Sequence, residues 1–284
     1  MIQVSIRNIG KKLLIWIVLI IFAIWTVFPL IWAVATSFKT MTESYTLSII
    51  PYLQFKPSWY AWNEIWGRMF GRVSKSLINS IVVAGLSSLF VLALGCLAGY
   101  ALSRFVFEKW KNKDIATWIL SLRMFPPVVV LIPIFLMMRT LYLLDTWRAI
   151  ILVHMLYNLP LAVWLMMDFF NEIPEDIEES ALIDGCSRFG AFVRISIPLS
   201  SSGLVAVYIL SFIFSWSEFL FAVSLSYNKA ITFPAMIAGA LSVKGLDFAR
   251  VSALTLLAIT PPMILAVLMS KYLIRGLTFG AVKG

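Results

Sequence analysis

The sequence predicts an all-α membrane protein with six transmembrane helices, and three observations lead to that class. Of its 284 residues, 61% are hydrophobic and 13% are charged, where a soluble domain carries about a quarter charged residues. The apolar residues gather in long uncharged runs, the first from Leu13 to Phe38, longer than the roughly 20 residues that cross a bilayer. In lipid a span must satisfy its own backbone hydrogen bonds, which leaves the α-helix for runs of this length.

Taken in order, the first helix is expected over 13–38. A cleaved signal peptide would have an apolar region of only about 7–15 residues, and Trp16, Trp25, Phe28 and Trp32 suit a retained helix. The loop 39–75 follows, and its Trp59, Tyr60, Trp62, Trp66 and Phe70 read as an interfacial aromatic belt rather than a carbohydrate-stacking platform. The second helix, 76–105, is dotted with Gly, Ala and Ser, which let membrane helices approach closely. The third, 115–138, contains Pro126, Pro127 and Pro133, and the fourth, 148–170, contains Pro160. The fifth covers 203–225 and the sixth 249–273, with Pro261 and Pro262. Prolines in such spans are tolerated where neighbouring helices or a cavity satisfy the freed groups, so the pattern fits kinked helices around a pathway as well as simple packing kinks. The whole chain, 1–284, reads as one membrane domain.

Several functions are disfavoured by composition. The net charge of +9 lies mostly in the connections between apolar runs, with no basic stripe of the kind that binds nucleic acid. Cys96 and Cys186 have no metal-ligand spacing. His154 is the lone histidine, without a partner motif, and reads as a satisfied helix-facing side chain. Lys and Arg near the span ends set orientation. With the amino terminus inside, they divide twelve inside to ten outside, and Arg104, Lys109, Lys111 and Lys113 crowd one short inner loop. Both termini are therefore expected in the cytoplasm.

One connection differs from the rest. Residues 171–199 hold six of the chain's fourteen acids: Glu172, Glu175, Asp176, Glu178, Glu179 and Asp184. Pro174 suits a first helical position, and Glu175 and Asp176 complement the positive end of the helix dipole. Gly185 sits where a helix ends on a left-handed residue. Ser187 then caps a second short helix, along which Phe189, Phe192 and Val193 recur at i, i+3, i+4, and Pro198 closes it. The segment predicts two short helices around a Gly turn, with an acidic surface and an apolar stripe. Either the underside of the membrane domain or a separate protein covers that stripe.

"EESALIDGCSRFGAFVRISIP", 178–198, resembles the EAA loop of permease subunits in ABC importers, in which E-A-A-x-x-D-G precedes an apolar series ending near a proline. Glu179, Ser180, Ala181, Asp184, Gly185, Phe192, Ile195 and Pro198 take the matching places, with Ser180 where alanine is usual. "RMFPPVVVLIPIF" (123–135), "YNLPLAVWLM" (157–166), "WSEFLFA" (216–222) and "RGLTFGAVKG" (275–284) resemble the maltose-type carbohydrate-uptake branch, and the terminal motif its MalG-like member. The resemblance implies the type I importer permease fold. It also implies that the EAA loop, including Phe189, is a coupling helix docking on a cytoplasmic ATPase, with the tail 275–284 reaching towards the same partner. It further implies a second permease, two ATPase subunits, an extracellular solute-binding protein and a disaccharide or oligosaccharide substrate such as maltose or trehalose. The chain has no GxxxxGK[ST] phosphate loop. ATP and Mg²⁺ are thus expected on the partner ATPase, with no cofactor and no catalytic residue here.

Arg123 in the third span and Glu218 in the fifth are charges at membrane depth, where charge is costly and usually faces a bundle interior or a cavity. Snorkelling is the alternative for Arg123. Tyr157, Asn158, Trp164 and Trp216 offer hydrogen bonds or stacking to a sugar, and each is otherwise a packing residue. With Arg123 and Glu218 they are the candidate pathway residues. The rival class is an ion-coupled secondary transporter, which calls for paired deep acids and an inverted repeat. A membrane-embedded hydrolase ranks last, for want of a visible nucleophile and base.

Overall fold

The computed structural model describes residues 2–239, 245–268 and 270, with side chains from residue 12 onward. The tail 275–284 and the end of the sixth expected helix lie outside the described residues. The helices run, in chain order, α1 (Ile2–Ser37), α2 (Tyr60–Trp66), α3 (Phe70–Arg104), α4 (Asn112–Ser121), α5 (Pro127–Thr140), α6 (Trp147–Asn171), α7 (Glu175–Ile183), α8 (Arg188–Ala191), α9 (Ile197–Leu199), α10 (Ser201–Ser217), α11 (Leu220–Leu225), α12 (Phe233–Ala238) and α13 (Phe248–Leu268). No strand is formed among the described residues. Four stretches are long and apolar enough to cross a membrane unaided: Lys12–Ser37, Phe70–Arg104, Trp147–Asn171 and Phe248–Leu268.

The remaining two spans are broken. The third, expected as one helix over 115–138, is instead α4 and α5, bent by 86°. Its cause is the Pro126–Pro127 pair. A residue before proline is driven out of the α region, and Phe125 and Pro126 are extended, with ψ of 123° and 130°. The fifth, expected over 203–225, divides into α10 and α11 at Glu218, whose ψ is 130°. The 17 residues of α10 reach about 26 Å, short of a core about 30 Å thick, and reach that length as a span only together with the preceding segment Arg188–Leu199, from which α10 is bent by 77°.

The chain forms two compact units. The first comprises residues 1–71 and 239–259. In it Lys39, in the loop after the first helix, is completely buried. Its Nζ donates to the Thr46 carbonyl at 3.1 Å and lies over the Trp32 and Phe55 rings at 5.3 and 5.2 Å. Phe38 packs edge-on against Trp59, 5.2 Å between centroids. Tyr60 donates to Asp247 at 3.0 Å, and Arg250 pairs with the same carboxylate at 2.9 Å.

The second unit comprises residues 72–238 and 260–284, and α6 is its centre. The small residues of the second span do what their size allows. A Cβ on Gly95 would lie 2.9 Å from the Ala162 Cβ, and one on Gly99 would lie 2.8 Å from the Met166 Cβ. Here α3 and α6 meet backbone to backbone. Val91, Cys96, Ala162, Met166, Phe170, Phe192 and Val207 build the core between them. At the other end of α6, Asp145, at φ 58°, buries a carboxylate that accepts from the N–H groups of residues 227 to 230 at 2.9–3.2 Å. Asn79 donates to the carbonyls of Lys229 and Ile231 at 3.0 and 2.9 Å and accepts from Trp147 at 2.8 Å.

Candidate functional site

The acidic segment folds as two short helices around a tight turn. Glu175, Asp176 and Glu178 occupy the first turn of α7, with Pro174 just outside as the N-cap. Gly185 takes φ +85°, a conformation that costs other residues strain. Ser187 caps α8 by accepting from the Gly190 N–H at 3.1 Å. Pro198 does not close the second helix as expected. The helix continues through a π turn at Phe192–Ser196 into α9, where Pro198 fits the first turn, and the chain then bends by 77° into α10. Ser180, at the usual alanine place, is exposed and returns its hydroxyl to the Asp176 carbonyl at 2.7 Å.

The apolar stripe divides between two environments. Phe192 is buried, 4.6 Å from the Tyr100 ring and 6.0 Å from Phe170. Phe189 is 68% exposed, Val193 43% and Ile183 85%. Glu179, Asp184, Gly185 and Pro198 are also exposed, and Ala181 is half-buried. Three apolar side chains and two carboxylates therefore face outward from the α7–α8 turn, while Phe192 anchors it to α3 and α6.

Sequence reasoning missed the residue that fixes this arrangement. Glu178, read as part of the acidic surface, is buried and pairs with Arg104 at 3.0 Å. It also accepts from Tyr100 and Ser196, each at 2.8 Å. Arg104, read as an inner-loop cation, donates as well to the Ile173 carbonyl at 3.0 Å. A buried ion pair is tolerable only when its remaining hydrogen-bonding capacity is filled, as it is here. The available signal was an acid one turn before the half-buried Leu182, on the inward side of α7.

The pathway candidates fall in separate places. Arg123 lies at the α4–α5 bend, its guanidinium 4.3 Å from the Phe214 ring centroid. Tyr157 joins the same bend by donating to the Phe125 carbonyl at 3.3 Å. Asn158 and Trp216 are buried, Trp216 stacked on Phe212 at 5.8 Å, and Trp164 packs into the α4–α6 contact. Glu218 pairs with His154 at 3.0 Å.

The chain's residues 91–279 match the family described as the binding-protein-dependent transport system inner membrane component. The chain belongs to this family. The permease is 32% identical over 280 residues to the trehalose/maltose transport system permease protein MalG of Thermococcus litoralis, covering 98% of this chain and 99% of the relative. It is 34% identical to the sulfoquinovosyl glycerol transport system permease protein SmoH of Agrobacterium fabrum, covering 90% and 89%. In fold it is similar to a chain of a bacterial ABC transporter involved in import of the acidic polysaccharide alginate, with a TM-score of 0.72 at 22% identity, covering 94% and 97%. The permease is thus a membrane transport component of the ABC importer class and not an enzyme.

Proposed function

We propose that this permease is one of two membrane subunits of an ATP-driven sugar importer, and that the α7–α8 turn is its coupling element. The observation carrying this reading is the outward triad Ile183, Phe189 and Val193 on a base anchored by Phe192 and Glu178. Exposed apolar side chains on a rigid, capped turn suit a socket on another protein. Glu179, Ser180, Ala181, Asp184, Gly185 and Pro198 frame that turn and on this reading meet the ATPase, and the crowding of Arg104, Lys109, Lys111 and Lys113 supports both chain termini in the cytoplasm. An extracellular binding protein would deliver the sugar to the opposite side, and a second permease would complete the pathway. A disaccharide or oligosaccharide is supported by relatives named for trehalose/maltose, trehalose and diacetylchitobiose. Arg123 and Tyr157, brought together at the α4–α5 bend, are the side chains of this subunit best placed to line the route. Asn158, Trp164 and Trp216 act in packing. Gly185→Trp tests the coupling role. The complex should assemble while ATP-driven uptake in proteoliposomes falls at least tenfold, and normal uptake would rule that role out.

A further inference from the structure

The break in the fifth span is built, and it uses residues to which the transport reading gives no role. At the end of α10 the backbone turns extended at Glu218, freeing the first N–H groups of α11. The Glu218 carboxylate takes them up, accepting from Phe221 at 2.8 Å and from Ala222 at 3.0 Å. Its third partner is His154 Nε2 at 3.0 Å. A carboxylate offers only acceptors, so Nε2 carries a proton towards it, and His154 Nδ1 hydrogen-bonds the Ser215 hydroxyl, 2.6 Å away. Ser215 in turn meets Ser87 at 2.8 Å. Four side chains from α3, α6 and the α10–α11 break thus form one polar chain, buried at Ser87, His154 and Ser215 and half-buried at Glu218.

Its effect reaches the other broken span. Phe221, whose N–H Glu218 holds, is buried and packs on Tyr157 with 6.0 Å between ring centroids. Tyr157 then donates to Phe125 at the α4–α5 bend, two residues from Arg123. We infer that Glu218 and His154 are positioning residues. They fix α11 so that Phe221 braces Tyr157, and through it the α4–α5 bend. The inference rests on Arg123 and Tyr157 lining the route.

The test uses the full complex in proteoliposomes, with trehalose and maltose as uptake probes. Alongside uptake, a charged maleimide labels Phe125→Cys in a Cys186→Ser background. His154→Leu should raise the labelling rate at least fivefold and lower uptake at least tenfold, while labelling of Tyr142→Cys on the distant α5–α6 loop stays unchanged. His154→Gln keeps an N–H towards Glu218 and should return labelling to the parental rate, with at least a third of uptake. Should His154→Leu fail to assemble, Glu218→Gln serves instead. Its amide accepts from only one of the two N–H groups, and the same fivefold rise is expected. Unchanged labelling in these variants overturns the inference. Failure of the parent complex to move either sugar counts against the choice of sugar alone, because labelling still decides the positioning role.

Discussion

Replacing Glu178 with alanine would leave the Arg104 guanidinium buried without its carboxylate. Breaking a buried pair from one side costs about 3–5 kcal/mol, so Glu178→Ala should lower the complex's melting temperature and its yield. The paired change Glu178→Leu with Arg104→Leu should recover part of the loss, and equal damage from both would refute the pairing argument. Asp145 gives a pH signature. Burial pushes its carboxyl up, but four backbone N–H groups outweigh that and hold it below the usual carboxylate range. A depressed folded pKa gives stability that is full above the unfolded value of about 3.9 and is lost as pH falls through the folded value. Asp145→Asn suits the left-handed backbone at this position. It should lower melting temperature at neutral pH and flatten its fall as pH drops below about 3.9. Neither residue's role was legible beforehand. In a linear sequence Glu178 is one acid among six, and the partners of Asp145 lie some eighty residues away.

At the scale of elements, close contact between α3 and α6 depends on the absence of side chains at Gly95 and Gly99. A Cβ at position 99 would also lie 2.8 Å from the Met167 backbone nitrogen, which cannot swing aside. Gly99→Val should therefore separate the helices and abolish assembly, seen as loss of the complex on size exclusion, whereas Gly71→Val, whose Cβ would meet nothing within 4 Å beyond its own stretch of helix, should assemble normally. The small-residue pattern of this span was readable because it follows directly from how helices pack in lipid. The α4–α5 break was half-readable. Pro126 and Pro127 announced an interruption, but its 86° angle depends on tertiary packing. The α10–α11 break was invisible because no proline or glycine marks it, and a carboxylate reaching forward to cap the next helix has no periodic signature. The α7–Gly185–α8 turn was the most legible element, since caps and a left-handed glycine are local devices. Local rules could not decide which phenylalanine of its stripe faces inward.

At the scale of the molecule, the permease reading expects dependence on partners. Proteoliposomes containing this chain alone should show no sugar accumulation under a proton or sodium gradient and no ATP hydrolysis above that of empty vesicles. Accumulation driven by either gradient would move the chain to another transporter class. The architecture also has a mechanical consequence. Between Asn79, which grips the 229–231 backbone, and Arg104, which grips Glu178, α3 runs unbroken. That is about 37 Å of helix. It acts as a stiff rod clamped at both ends, so a push on the α7–α8 turn, if that turn couples as proposed, arrives at the far loop as displacement instead of being absorbed by bending on the way.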